Sequence, residues 1–142
     1  MILVRQLLND KGDAIYSTAP DAPVLEAIRT MAERNVGALL VLDGGALVGI
    51  VSERDYTRKV ILMGRSSADT PVSAIMSAPA ITVSSSDTVD HCMQVCTRSH
   101  VRHLPVVDGG AILGVLSIGD LVKAVISEQA EEIEHLQRYI AG

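Results

Sequence analysis

The chain has 142 residues, of which 48% are hydrophobic and 2% aromatic, with neither Trp nor Phe, and its formal net charge is −5. This acidic balance argues against a nucleic-acid surface, which needs clustered basic residues to neutralise phosphates. No run approaches the roughly 20 apolar residues of a membrane span, and the start MILVRQLLND does not have the form of a secretory signal. We therefore expect a soluble, cytoplasmic protein that contacts neither nucleic acid nor membrane.

The chain contains an internal repeat, because residues 36–55 align without a gap on residues 101–120 and ten of the 20 aligned positions are identical. An internal repeat predicts one supersecondary unit used twice, with the cleft between the copies as the first place to look for a ligand. Each copy is expected to open with a short extended segment, at 14–18 and at 80–83.

A helix with one apolar face is predicted next in each copy. Its apolar positions recur at spacings of four and three: Val24, Ile28 and Met31, then Val89, Met93 and Cys96. Residues that favour the start of a helix stand just before both stretches: Asp21 or Pro23, and Ser86 or Asp87.

Two strands joined by a tight turn follow each of these helices. Asp-Gly-Gly lies between apolar runs at 43–45 and 108–110, and its glycines suit the positive φ of a hairpin turn. The flanking strands, whose nearly continuous apolar character indicates burial on both faces, are predicted at 38–42, 46–52, 103–107 and 111–117. A second helix follows at 55–63 and 120–126, so each copy is expected to run strand, helix, strand, strand, helix.

Two cysteines, Cys92 and Cys96, recur with His100 every four residues on a predicted helix. Their counterparts in the first copy are Ala27 and Met31, so we interpret the thiols as buried hydrophobic groups rather than metal ligands or disulfide partners. The sequence also lacks motifs typical of zinc sites, serine hydrolases, Walker loops and dinucleotide folds. We expect no catalytic residue, no metal and no catalytic cofactor.

The pattern that ends each copy carries the functional signal. Residues 49–55 and 114–120 both read glycine, two apolar residues and Ser-x-x-Asp, which places a hydroxyl and a carboxylate where a strand passes into a helix. Such a carboxylate can accept hydrogen bonds from ribose hydroxyls, while serine and first-turn amides can contact phosphate. The alternative is that Ser and Asp only cap the helix. Recurrence in register favours the nucleotide interpretation.

The chain resembles the cystathionine β-synthase (CBS) domain family over about residues 1–126. The resemblance rests on these two motifs, the strand at 104–108, the doubled element order and the segment 72–76 that is echoed at 4–8. It is most similar to a stand-alone tandem CBS pair, or Bateman module. The resemblance implies an α/β (α+β) fold of two β-α-β-β-α repeats packed with pseudo-two-fold symmetry, plus a C-terminal helix. We expect the first repeat with its N-terminal segment at 1–70, the second at 71–126 and the C-terminal helix at 127–142.

The resemblance also implies two clefts for adenosine-containing ligands, with AMP as the preferred candidate and ADP, ATP, NAD(H) or S-adenosylmethionine as others. Each Ser-x-x-Asp is expected to be completed by residues of the other copy. The first cleft would hold Ser52, Arg54, Asp55, Ile81, Thr82, Arg102 and His103. The second would hold Tyr16, Ser17, Gly37, Ala38, Ser117 and Asp120.

The two clefts are expected to differ in charge. Where the second copy has Arg102 and His103 the first has two small uncharged residues, and Gly119 stands where the first copy has Arg54. Arginine and histidine can hold a phosphate. We therefore expect the first cleft to bind a nucleotide phosphate more strongly and the second to suit a weakly charged adenosine moiety.

The sequence as a whole predicts a non-catalytic sensor of adenine nucleotides that reports energy or redox state to an effector protein it does not identify. A ligand that bridges both copies would favour the arrangement in which both contact it. A purely structural dimerisation module and a module for S-adenosylmethionine are the alternatives.

The C-terminal segment has an apolar seam at alternating spacings of four and three: Val122, Ile126, Gln129, Ile133, Leu136 and Ile140. Such a seam is typical of helices that pair as a coiled coil, which predicts a homodimer. The alternative is an amphipathic helix that lies on its own module.

Overall fold

The computed structural model describes residues 1–12 and 14–141; Asp13 and Gly142, the last residue of the predicted C-terminal segment, lie outside the described residues. The chain forms two compact units. One is Ile15–Ala80, the first-repeat unit, and the other combines Met1–Ala14 with Ile81–Gly142, the second-repeat unit. The N-terminal segment, which we expected with the first repeat, thus belongs to the unit that holds the second.

The elements follow the doubled order that the sequence predicts. In chain order they are α1 (Val4–Lys11), β1 (Ser17–Thr18), α2 (Val24–Arg34), β2 (Ala38–Asp43), β3 (Ala46–Ser52), α3 (Glu53–Tyr56), a π-helical turn (Thr57–Ile61), a 3-10 turn (Val72–Ala74), α4 (Val89–Ser99), β4 (His103–Asp108), β5 (Ala111–Ser117) and α5 (Ile118–Ala141). The mixed α/β class with two repeats and a C-terminal helix is confirmed.

The first-repeat unit is built on a three-stranded sheet in the order β1-β2-β3. β1 runs parallel to β2, and β2 pairs antiparallel with β3 so that Ala38 lies opposite Ser52. The joining turn has both glycines at positive φ, as expected. Its buried core consists of Val24, Ala27, Met31, Leu39, Val41, Val51, Val60, Val72 and Ile75.

The second-repeat unit has a two-stranded antiparallel sheet, β4-β5, in which His103 lies opposite Ser117. The opening strand expected at 80–83 is reduced to one parallel bridge between Val83 and Val106. Its buried core consists of Val4, Leu7, Val83, Val89, Cys92, Cys96, Leu104, Val106, Leu116 and Leu121. The interpretation of both cysteines as buried hydrophobic groups is confirmed.

The helix boundaries differ from prediction at the start of α4 and at both ends of the second helix of the first repeat, and they agree at the start of α2. The cap of α4 is Thr88, whose Oγ1 accepts from the backbone N of His91 at 3.0 Å, and neither Ser86 nor Asp87 takes that place. Asp87 instead accepts from the backbone N of Ser84 at 2.7 Å, which fixes the turn before the helix. Pro23 caps α2, as one of the two predicted residues. The second helix of the first repeat begins at Glu53 and ends in the π-helical turn at Ile61.

The predicted C-terminal segment is not a separate helix, because α5 runs without a break from Ile118 to Ala141. From Gln129 to Ala141 all of its residues are exposed, so this part of the helix is not buried against its own unit. In the part of the chain that the structure describes, no helix combines the length and apolar character needed to cross a membrane.

Each unit is completed by a connecting segment that enters from outside the repeat. In the second-repeat unit, Val4 of α1 donates its backbone N–H to Asp87 O at 2.9 Å and is fully buried. In the first-repeat unit, Val72 donates to Ala22 O at 2.9 Å and is equally buried. The echo between residues 4–8 and 72–76 therefore marks two segments with the same packing role.

These segments explain the glycine of the Ser-x-x-Asp motif. A Cβ at Gly49 would lie 2.8 Å from the backbone O of Ser77, and a Cβ at Gly114 would lie 2.8 Å from Leu8 Cδ2. The motif glycine is thus required by the close approach of the connecting segment.

We predict that Gly49→Ala lowers the free energy of unfolding by about 2 kcal/mol, and Gly114→Ala by about 1 kcal/mol or less. Ser77 is held by two backbone hydrogen bonds with Ile50, at 2.9 and 3.0 Å, and yields poorly, whereas the end of the Leu8 side chain can turn away. Urea unfolding of both variants beside the unchanged chain measures the difference. Equal losses, or a larger loss for Gly114→Ala, would contradict this packing argument.

Candidate functional site

The Asp55 site lies where β3 passes into α3. Asp55 Oδ2 accepts from the backbone N of Ser52 at 2.9 Å and from Ser52 Oγ at 3.0 Å, and Asp55 N donates to Ser52 Oγ at 3.2 Å. These bonds form a capping box, which satisfies backbone donors at the start of a helix. The capping role that we held as the alternative is therefore real, and it holds the carboxylate in one orientation at the junction.

The second oxygen of Asp55 faces a lysine. Lys59 Nζ lies 3.2 Å from Asp55 Oδ1 and also donates to the backbone O of Ile75 at 2.9 Å. Lys59 stands one turn after Asp55, in the middle of the π-helical turn Thr57–Ile61. Of the three basic residues near this junction in the sequence, Arg54, Arg58 and Lys59, it is Lys59 whose ammonium reaches the carboxylate.

The predicted partners of the second cleft that lie in this unit surround the same junction. Gly37 O accepts from the backbone N of Glu53 at 3.0 Å, and Ala38 pairs with Ser52 across the sheet. Next to it is a cavity of about 470 Å³ whose lining includes Gly37, Glu53 and Tyr56. That volume is within the range of small-molecule pockets.

The remaining predicted residues of the first-repeat unit lie at β1 and in the first turn of α3. The backbone O of Tyr16 accepts from the backbone N of Leu40 at 3.2 Å, and Ser17 pairs with Leu40 in the sheet. The Tyr16 ring carries the Arg34 guanidinium 5.2 Å from its centroid, a cation–π contact. Arg54 is half-buried in the first turn of α3.

The Asp120 site repeats this arrangement where β5 passes into α5. Asp120 Oδ2 accepts from the backbone N of Ser117 at 2.8 Å, and Asp120 N donates to Ser117 Oγ at 3.2 Å. The internal repeat therefore reproduces the geometry of the junction as well as its sequence.

A lysine that the sequence did not indicate binds this second carboxylate. Lys11, at the end of α1, donates from Nζ to Asp120 Oδ2 at 2.6 Å and to the backbone O of Val115 at 2.7 Å. Burial alone would raise the pKa of Asp120, but the bonds from Lys11 and Ser117 outweigh it and hold that pKa below its ordinary value. The expectation that the second cleft suits a weakly charged adenosine moiety did not take Lys11 into account.

His103 and Arg102 lie in the same unit, at the start of β4. Ile118 N donates to Arg102 O at 2.8 Å, and His103 pairs with Ser117. Burial, followed by the charge of Lys11, lowers the pKa of His103 below its ordinary value, and Asp120 opposes this shift. The imidazole is thus favoured in its neutral form beside the Lys11–Asp120 pair.

Ile81 and Thr82 are exposed residues just before the bridge at Val83. Within its own unit the structure brings Ser117, Asp120, Arg102 and His103 together. The assignment of residues from each repeat to the other repeat's cleft stays a prediction.

The thiols take no part in these sites. Burial raises the pKa of Cys92 to about 11, with the charge of Asp87 adding to the shift, and burial also raises the pKa of Cys96. A buried thiol with a raised pKa is a poor nucleophile and a poor metal ligand. Across residues 1–12 and 14–141, no three His, Cys, Asp or Glu side chains are grouped as a metal site would need.

Comparison with known proteins agrees with the doubled architecture. The family model of the CBS domain matches residues 12–61 and 72–127. The mitochondrial CBS domain-containing protein CBSX3 of Arabidopsis thaliana is 43% identical over 136 residues, which cover 92% of this chain and 66% of that protein. The chain thus spans about two thirds of this relative's length, and the cytoplasmic location expected from the sequence stays a prediction.

Solved structures show the same fold. A protein with CBS domains from Burkholderia ambifaria MC40-6 is 49% identical, with a TM-score of 0.86 over 89% of this chain and 96% of that one. The CBS domain pair of protein MJ0100, in complex with 5′-methylthioadenosine and S-adenosyl-L-methionine, has a TM-score of 0.80 over 90% of this chain and 98% of that one, at 22% identity. At that identity the likeness concerns the fold alone.

Because the family model matches twice in tandem, over the same two stretches that the internal repeat and the doubled Ser-x-x-Asp junction define, the chain belongs to the CBS-domain family and carries a pair of these domains.

Proposed function

We propose that this CBS pair is a non-catalytic regulatory module that binds an adenosine-containing ligand at its Ser-x-x-Asp sites and reports occupancy to a partner protein. AMP is the preferred ligand, with ATP and NAD(H) as further candidates, so the reported quantity is energy or redox state. S-adenosylmethionine is the alternative ligand, since the pair of MJ0100 was solved with it.

One observation carries this proposal: each motif carboxylate is held at a strand–helix junction with a lysine ammonium bound to it. A nucleoside phosphate needs a fixed acceptor for its ribose hydroxyls and a cation for its phosphate. Both chemical groups are present at both junctions. A helix cap needs only the carboxylate, whereas the ammonium beside it also supplies the cation that a phosphate needs.

The residues proposed to complete each site come from the other repeat, as in the sequence-based assignment. Arg102, His103, Ile81 and Thr82 would serve the Asp55 site. Tyr16, Ser17, Gly37 and Ala38 would serve the Asp120 site. A ligand held by both repeats would then favour one arrangement of the pair over others, which is the basis of signalling by population shift.

The lack of catalysis is part of the proposal. The motif serines are engaged in capping boxes, and the two thiols are buried with raised pKa values. Neither set offers an activated nucleophile.

We predict that an adenosine-containing ligand raises the melting temperature by several degrees, because a ligand at 100 times its Kd adds about 2.7 kcal/mol to the free energy of unfolding. The measurement is thermal unfolding with AMP, ADP, ATP, NAD⁺, NADH and S-adenosylmethionine, one at a time. Asp55→Asn removes the charge of the motif carboxylate but keeps an oxygen that can accept the cap hydrogen bond, so it is expected to reduce the shift.

Asp43→Asn is the matched control, because it makes the same change at an exposed turn residue. It should leave the shift as it is. No shift with any compound would contradict the sensor and leave a structural module.

The same proposal includes a homodimer, supported by the exposed face of α5. Ile133 and Leu136 are 56% and 58% exposed, and Ile140 is 83% exposed. A row of exposed apolar side chains at coiled-coil spacing favours pairing with a second helix.

We predict that the full chain is a dimer in light scattering and that a chain ending at Ser127 is a monomer. Leu136→Glu places a charge on the apolar face and should also dissociate the dimer. His135→Glu, the adjacent residue outside the seam, should leave it intact. A chain ending at Ser127 that stays dimeric would show that this helix is not the essential contact.

A further inference from the structure

The two sites share their carboxylate geometry but obtain their lysine from different parts of the chain. Lys59 comes from the same helical stretch as Asp55, four residues later. Its counterpart in the second repeat, at the 65-residue offset, is Ala124. Lys11 comes from α1, 109 positions away from Asp120. Its counterpart in the linker, when Val4 is aligned on Val72, is Pro79.

Neither repeat therefore has both lysines, and neither carboxylate is left without one. The second repeat has Ala124 where the first has Lys59, and its carboxylate is instead bound by Lys11 of the N-terminal helix. Since a capping box is complete without a lysine, this recurrence from two unrelated positions indicates a need for positive charge at the site itself.

The packing of α1 in the second-repeat unit determines the position of Lys11. Val4 and Leu7 are buried in the core of the second-repeat unit, and Leu8 lies against Gly114 of β5. This places the end of α1 at the junction, where Lys11 Nζ spans Val115 O and Asp120 Oδ2. The Lys11 side chain is still 40% exposed, so its ammonium can turn toward a ligand without unpacking the helix.

The hydroxyls of a ribose bound at Asp120 would donate to the same carboxylate oxygens to which Lys11 now donates. The Lys11 ammonium would then be free to contact the ligand at the substituent on the 5′ carbon of the ribose. A phosphate there gains a charge-assisted hydrogen bond. A neutral thioether gains nothing, and a sulfonium meets a like charge.

We propose that Lys11 determines ligand charge at the Asp120 site, selecting a phosphate-bearing adenosine compound over a neutral or sulfonium one. This inference rests on the proposed function and specifies its ligand class at one site. It reverses the preference for a weakly charged moiety that the sequence of the motif predicts.

The test is isothermal titration of the full chain carrying Asp55→Asn, so that binding reports on the Asp120 site, with AMP and 5′-methylthioadenosine as probes. In this background, Lys11→Met keeps the side-chain stem and removes the ammonium. Affinity for AMP is expected to fall about tenfold or more, since a hydrogen bond to a charged group is lost. Affinity for 5′-methylthioadenosine is expected to stay within about twofold, because this probe has no anionic group in place of the phosphate to pair with an ammonium.

Two further variants separate charge from packing. Lys11→Arg keeps a cation at the end of α1 and should retain most of the AMP affinity. Arg138→Met removes an equal charge from an exposed position of α5, about 27 Å further along the helix from Asp120, and should leave the binding of both probes unchanged.

Each other outcome overturns the inference. Unchanged AMP affinity in Lys11→Met would show that Lys11 does not bind the phosphate of the ligand. An equal fall for both probes would mean that Lys11 only holds α1 in place. If the Asp55→Asn chain binds neither probe while the unchanged chain does, the Asp120 junction is only a helix cap. If the unchanged chain also binds neither, the proposed function fails together with the inference.

Discussion

The structure depends on the close approach of a connecting segment to a glycine in the last strand of each repeat. The glycines have no side chain, so backbone or side-chain atoms of the segment can reach the strand surface at these points. The segments also bring buried apolar residues, Val4 and Val72 among them, and they donate hydrogen bonds to the turns before α4 and α2. A repeat without its segment would leave this strand face and these backbone groups unpaired. The unit that folds is therefore larger than the unit that repeats in the sequence.

Much of the fold could be predicted because each repeat has strong local signals. The Asp-Gly-Gly turns fix the register of both hairpins, and the strands at 38–43, 46–52, 103–108 and 111–117 agree with prediction to within one residue. The spacing of apolar residues correctly predicted that each repeat contains a helix before its two strands. The boundaries depended on which of several adjacent polar residues makes the cap hydrogen bond, and the three-dimensional turn at Ser84–Asp87 decided in favour of Thr88. Composition gives no information on that choice.

The sequence predicted only those contacts of the candidate sites that join residues close together in the chain. Ser52 and Asp55 are three residues apart, and so are Ser117 and Asp120, so the motif itself showed their contact. Lys11 lies 109 positions away from Asp120, and no spacing rule connects them. The echo of residues 4–8 in the linker was the one available signal, because it indicates that the N-terminal segment has the same packing role as a linker beside the other motif.

The division of the chain also has a consequence for the order of events during synthesis. Every part of the first-repeat unit is present as soon as residue 80 has left the ribosome, since Ile15–Ala80 is one continuous stretch. The second-repeat unit joins Met1–Ala14 to residues from Ile81 onward. The apolar face of α1 must therefore wait, unpaired, until β5 has been made. This contact closes a long loop, which makes it slow to form and exposes Val4 and Leu7 to unwanted association in the meantime. The segment that supplies Lys11 to the Asp120 site is thus also the part of the chain that waits longest for the residues it packs against.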